Sequence, residues 1–308
     1  MLLFIKTSFL SLNNKIKNTI IMKKLLLGTL FLIISGITVL AQEGSGLTLI
    51  TLPYEEVHSR YDKPLPYQYV RESDVMWSKT VWRRIELTEK MNQIFYFPTE
   101  PAAGVMSLID VLLDGIHTRG LTAYKARAQD AGQEFDIIMT EEEVHEQMGA
   151  KTEVQAVENL EGGYDSVTVD VPYDPTSIKT FLVKEIWFFD KQRSVLDVRI
   201  IGLCPVRTYY RDDDLEQANP LYKKVFWVLY SEARPLLARS PVYNPYTDVH
   251  NLTYDDIFTK RLFSSYIYMV SDPMRREINQ YQEGLDVLLK AQEVENQIFD
   301  FEQSLWSY

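Results

Sequence analysis

Residues 178–204, IKTFLVKEIWFFDKQRSVLDVRIIGLC, read as two apolar strands on either side of a polar turn. The run 178–189 is dense in β-branched and aromatic residues, the composition of a half-buried strand. Asp190-Lys191-Gln192-Arg193 interrupts it, and 194–204 returns with the same character. Placing Phe189 opposite Ser194 sets Trp187 across from Leu196 and Val183 across from Ile200. One face then carries Phe181, Trp187, Phe189, Leu196, Val198 and Ile200. The other pairs Lys184 with Arg199 and Ile186 with Asp197, a wetter set. A register that sorts both strands at once points to an antiparallel hairpin with one buried face. Residues 224–230, KVFWVLY, supply a third strand. Residues 165–171 alternate, and 121–126 and 135–139 read as short strands around a polar turn.

Upstream lies SDVMWSKTVWRRIELTEKMNQIFYFP, residues 73–98. Ser73 has the chemistry of an N-cap and Asp74 suits a helix start. Trp77, Val81 and Ile85 recur every four residues, Trp82 widens the stripe, and Lys79, Arg83 and Glu86 fall elsewhere. This spacing predicts a one-sided helix that buries two of the five tryptophans. A second helix is expected from Thr99-Glu100-Pro101, with Val105, Leu108, Ile109, Leu112 and Ile116 inward and Gly120 as its stop. Thr140 to Glu143 forms a capping box for a short helix that ends at Gly149.

Residues 151–163 are polar, broken by Gly162-Gly163, and read as a surface loop. The stretch 234–250, rich in proline and tyrosine, also reads as loop. Thr253 to Ile267 reads as helix, and Asp272-Pro273 can open another. Residues 285–306 carry Leu285, Leu288, Leu289, Val294, Ile298, Phe301 and Leu305. This amphipathic C-terminal helix packs on the domain or docks on a partner. The class expected is α+β: helices packed on a mostly antiparallel sheet, with an extended N-terminal arm. The arm is residues 42–72, where Pro53, Pro64 and Pro66 disfavour helix between four tyrosines. Residues 73–308 form the single domain.

The first 41 residues stand apart. Met22-Lys23-Lys24 precedes an apolar run, LLLGTLFLIISGITVL, and Val39-Leu40-Ala41 suits a cleavage site before Gln42. That is the layout of a secretory signal peptide behind an upstream extension, 1–21. The protein is therefore expected to be exported, with no lipid anchor of its own. Net charge is −11; with the five lysines of residues 1–41 removed, 27 basic residues face 43 acidic ones, −16. An acidic chain is repelled by phosphate backbones and anionic lipid, which argues against nucleic acid as a partner. No direct membrane insertion is expected either, because after cleavage no apolar run is long enough to span as a helix and few stretches alternate cleanly over ten residues.

Motifs for chemistry are missing. Cys204 is the one cysteine and sits in an apolar strand pattern, so it reads as a buried inert thiol. His58, His117, His145 and His250 show no metal-ligand spacing. Asp212-Asp213-Asp214 lacks the spacing and glycine of a calcium loop. No phosphate-binding loop, dinucleotide fingerprint or nucleophile elbow occurs. No catalytic, cofactor-binding or metal residue is nominated, no cofactor is expected, and the chain is read as no enzyme.

Several segments resemble the gliding-motility and type IX secretion ring protein family GldN/PorN. The first is 73–98, through Asp74, Trp77, Trp82, Arg83 and the run to Tyr96 and Pro98. Others are Phe226-Trp227 followed by Glu232-Ala233-Arg234-Pro235, then 254–267, YDDIFTKRLFSSYI, and the ending 298–308, IFDFEQSLWSY. The resemblance implies a non-enzymatic subunit of a periplasmic ring in Bacteroidetes, peripherally associated with the outer membrane. It further implies as partners an outer-membrane lipoprotein of the GldK/PorK type and the inner-membrane-anchored motor protein GldM/PorM. The competing readings are a secreted periplasmic hydrolase and a small-molecule-binding module.

Overall fold

The computed structural model describes residues 63–306, apart from 102–103, 128–131, 159–163, 172, 212–218, 244–251 and 275. Most of the arm and the leader thus lie outside the described residues, as do His58, His250 and Asp212-Asp213-Asp214. In chain order the elements begin with β1 (Val75–Glu86), α1 (Gln93–Tyr96), α2 (Leu108–Arg119) and β2 (Ala123–Lys125). Next come α3 (Glu141–Met148), β3 (Lys151–Glu158), β4 (Tyr164–Val171), β5 (Ile178–Asp190) and β6 (Val195–Tyr209). The chain continues with β7 (Leu221–Lys224), β8 (Phe226–Leu229), α4 (Tyr230–Leu237) and α5 (Tyr254–Thr259), and ends with β9 (Tyr266–Val270) and α6 (Leu285–Trp306). The fold is α+β. One antiparallel sheet runs β2-β8-β6-β5-β1-β9, with β7 also on β6, and β3 pairs β4 separately.

The hairpin forms, but its register lies two residues from the expected one: Phe189 faces Leu196 and Trp187 faces Val198. A shift of two preserves which face each side chain takes, but the second face, expected to be the wetter one, is buried as well, over Leu182, Cys204 and Val206. Beyond Glu185↔Ile200 the partner of Lys184 is Gly202, so Ile201 is an extra residue that bulges β6. The turn moves because Asp190 stays in the ladder, opposite Val195, and caps the turn with its carboxylate. Its Oδ1 accepts the backbone N–H of Gln192 at 2.9 Å and its Oδ2 accepts Arg193 Nε at 2.6 Å. Ser194 closes the turn at φ 53°.

The Arg193 side chain beside it, helped by the backbone N–H groups of Gln192 and Arg193, holds the Asp190 carboxyl below the usual carboxylate range. A carboxyl lowered on folding stabilises fully above its unfolded value, ~3.9. That stabilisation is lost as pH falls through the lowered value. Asp190→Asn is therefore expected to show a weaker loss of stability than wild type below about pH 4. Chemical denaturation followed by circular dichroism over pH 2–7 checks it, and parallel curves for the two proteins would contradict it.

The expected helix at 73–98 is corrected: its core is strand β1, paired between β5 and the edge strand β9. A spacing of four is even, so Trp77, Val81 and Ile85 share a face in a strand as well as in a helix. The β-branched and aromatic content, Val75, Trp77, Thr80, Val81, Trp82 and Ile85, decides for strand. Trp77 and Trp82 consequently leave the sheet on opposite faces. Only a single helical turn, α1, remains near the end of that stretch.

Other boundaries shift. The second helix starts at Leu108, where Ser107 caps Asp110, and Gly120 ends it in the left-handed region at φ 70°. The expected strand 135–139 is reduced to a bridge at Ile138. Residues 151–158, expected as loop, form β3 against β4. The helix expected over 253–267 stops at Thr259; Arg261 turns left-handed at φ 54°, and 266–270 join the sheet as β9. Part of the expected 234–250 loop is helix α4. No helix opens at Asp272-Pro273; a 3-10 turn at Ile278–Gln280 takes its place. The capping box at Thr140, the stop at Gly149 and the C-terminal helix fall where the sequence puts them.

All the main apolar clusters lie on this sheet. On one face Ile85, Phe181, Val183 and Leu203 pack under Leu108, Leu112, Tyr230, Leu237 and Phe258 from α2, α4 and α5. Farther along the same face, Val81 and Ile267 pack under Ala291, Val294 and Ile298 of α6. The opposite face buries Trp82, Leu182, Cys204, Val206, Trp227 and Met269. There the sheet edges are tied by Lys224, on β7, which meets Glu277 beyond β9 at 3.4 Å.

Candidate functional site

Among the described residues, four clusters of polar side chains bear on function. The most buried centres on Glu185 of β5, fully inside the protein. Glu185 occupies the apolar face of the hairpin, between Val183 and Trp187. Its Oε2 accepts Arg83 Nε at 3.2 Å and Trp187 Nε1 at 3.1 Å. Arg261 Nη1 reaches Oε1 at 2.9 Å. Arg83 continues outward to Glu295 of α6 at 2.8 Å. Two arginines thus meet two glutamates, joining β1, β5, the loop after α5, and α6. With its oxygens taken by arginine and indole donors and no exposure, Glu185 is placed to hold elements together rather than to exchange protons with a substrate.

The second cluster sits on Asp255 of α5, which accepts the Tyr230 hydroxyl at 2.9 Å and Arg234 Nε at 2.8 Å. Burial, then the Asp255 charge, pushes the Tyr230 phenol far above its usual range, so it remains a neutral donor. Tyr67 of the arm lies over Arg234, 4.1 Å from guanidinium to ring centre, and beside Arg199 at 5.1 Å. Gln68 accepts Arg193 Nη1 at 2.8 Å through its side chain and Arg199 through its carbonyl. The last arm residues therefore rest on the hairpin of their own chain.

In the third cluster, Glu134 takes the Trp82 indole N–H at 2.8 Å and Lys184 Nζ at 2.7 Å. The fourth is at the surface, where the structure brings together two of the four histidines. His117 Nδ1 and His145 Nε2 both face Oε1 of Glu141, the second at 3.6 Å. The hydrogen bond with His117 lowers the Glu141 carboxyl. Among the described residues no group of three or more His, Cys, Asp or Glu is arranged to hold a metal. Cys204 is fully buried, with its thiol directed to the Pro205 carbonyl at 3.5 Å. A cleft lined by Leu87, Phe95, Tyr96, Ser107, Ile109 and Ile178 encloses about 230 Å3 with open solvent included. The enclosed part of the cleft is only about 10 Å3, room for about one water molecule, against ~300–1,000 Å3 for small-molecule sites.

Sequence reasoning missed the Glu185 cluster. The signal for it was present: a carboxylate at the one position that breaks the apolar face of an otherwise well-sorted strand. Its partners lie 76 and 102 residues away and carry no local mark.

Comparison with curated proteins finds no match. A family model described as "Gliding motility associated protein GldN" matches residues 70–307. That span takes in the whole antiparallel sheet, the buried clusters and α6. The chain belongs to the GldN family of gliding motility associated proteins.

Proposed function

We propose that the chain is a structural, non-enzymatic subunit of a periplasmic ring in the type IX secretion and gliding machinery. In this reading it is exported by a signal peptide cleaved after Ala41 and lies against the outer membrane. There it binds a lipoprotein of the GldK/PorK type and the motor protein GldM/PorM. The observation that carries the reading is the family match across residues 70–307, a family of structural gliding-motility components. The buried carboxylates Glu185 and Asp255 support it, because both are engaged by arginines of the fold. Among the described residues no helix is long and apolar enough to cross a membrane.

Deleting the chain from its host is expected to stop gliding and secretion of type IX cargo. Wild type should restore both, and so should Cys204→Ala and His117→Ala, since neither residue is given chemistry. Intact-mass measurement of the protein recovered from the envelope should begin at Gln42. Normal secretion after deletion, or its loss in a stably folded His117→Ala variant, contradicts the proposal.

A further inference from the structure

Helix α6 has two apolar faces, and the fold uses one. Ala291, Val294 and Ile298 pack on the sheet, and Phe301 stacks on Trp77 at 4.6 Å. On the outer side Leu285, Leu289, Phe299 and Leu288 are 70%, 58%, 55% and 49% exposed. Gln292 and Asn296 lie between them, hydrogen-bonded to each other at 3.2 Å. At 100° per residue these six positions share an arc of roughly 100°, turned away from the sheet. The series Leu285, Leu289, Gln292, Asn296, Phe299 steps by four and three, the spacing of a helix–helix seam. No charged residue falls within it.

Acids border that arc. Asp286, Glu293 and Asp300 follow one margin, and Glu295 and Glu302 the other. Lys290 answers Glu293 at 2.8 Å and Arg83 answers Glu295 at 2.8 Å. Among the described residues Asp286, Asp300 and Glu302 make no ion pair. A second copy of this helix, in either direction, would set acidic margin against acidic margin, and like charges flanking a seam oppose pairing. The complementary occupant has apolar residues at the same spacing with lysine or arginine on both sides.

We infer that the outer face of α6 is a docking surface for an amphipathic, basic-flanked helix of another protein. The inference extends the proposed role by giving the subunit a contact surface, and it rests on that role only for the need of a partner. Gln292 and Asn296 set the register of the seam, as isolated polar residues in an apolar stripe do. Attraction between the margins speeds and orients the approach, and added salt weakens it.

The test uses the mature full chain and two designed helical peptides. Both carry leucine at seam spacing; one is flanked by lysine and the other by glutamate. Fluorescence anisotropy should show the lysine-flanked peptide binding at least about tenfold tighter, with the preference shrinking in high salt. Leu289→Asp with Phe299→Asp should abolish binding while melting stays unchanged, because both side chains are exposed. Asp286→Lys, Asp300→Lys and Glu302→Lys together should reverse the preference toward the glutamate-flanked peptide. Equal affinity for both peptides, or binding that survives the double substitution, overturns the inference. A dimer of the chain that dissociates on Leu289→Asp identifies a second copy as occupant and overturns it too. So does tighter binding of this chain's own basic segment, residues 13–24, than of the lysine-flanked peptide. None of these measurements needs another component of the secretion machinery. Their failure leaves the proposed role standing, and failure of that role in cells leaves them unchanged.

Discussion

Glu185→Gln is expected to lower the stability of the domain by ~3–5 kcal/mol, the cost of breaking a buried ion pair by removing one partner. Glutamine keeps the shape and removes the charge. Arg83, itself 4% exposed, would then retain one carboxylate partner, Glu295, whose side chain is 45% exposed, and a 3.4 Å hydrogen bond to the Ser265 hydroxyl. Arg261, which meets both Glu185 oxygens from its left-handed turn, would lose its counter-charge and keep at most one amide oxygen as acceptor. The penalty comes from stranded arginine charge rather than from the intrinsic worth of the pair, and this has a separable consequence. Replacing Arg83, Glu185 and Arg261 together by apolar residues of similar size should recover most of the loss. Urea unfolding with matched slopes measures both variants. A loss below about 1 kcal/mol for Glu185→Gln would mean that water reaches the cluster and screens it.

The second large effect is expected at Trp82. Trp82→Ala should cost ~3–5 kcal/mol, from lost burial and the cavity left behind. Trp82 is 5% exposed and packs with Leu182, Cys204 and Trp227 on the face of the sheet opposite the helices. Its indole N–H also donates to buried Glu134, which among the described residues is otherwise held by Lys184. Trp82→Phe keeps most of the volume and leaves Glu134 to Lys184, so its cost should be clearly smaller. Unfolding midpoints that are equal for wild type and Trp82→Ala would place this tryptophan outside the core.

The two tryptophans also show how much of the fold the sequence carries. The hairpin is readable because alternation over two adjacent runs leaves few registers that bury one face. Helix ends at Thr140, Gly120 and Gly149 are readable because caps and left-handed stops are local chemistry. β1 is not, because a period of four serves helix and strand alike, and its partners β5 and β9 lie more than 90 residues away. Nor is the register offset, which depends on where one carboxylate, Asp190, finds its donors. Of the site, the burial of Cys204 is legible from its apolar neighbours. The Glu185 cluster stays hidden because a helical reading of 73–98 puts Arg83 on a solvent side that does not exist. The apolar residues of α6 are visible, but the sequence alone does not divide them into a face the sheet uses and a face it leaves open.

The most direct measurement is to purify the tagged chain from detergent-solubilised envelopes of its host and image the particles that come with it. A closed ring containing many copies of this chain together with the lipoprotein, and joined by the motor protein, is the expected result. A single unassociated chain, or a soluble particle lacking the lipoprotein, would contradict a structural role in that assembly.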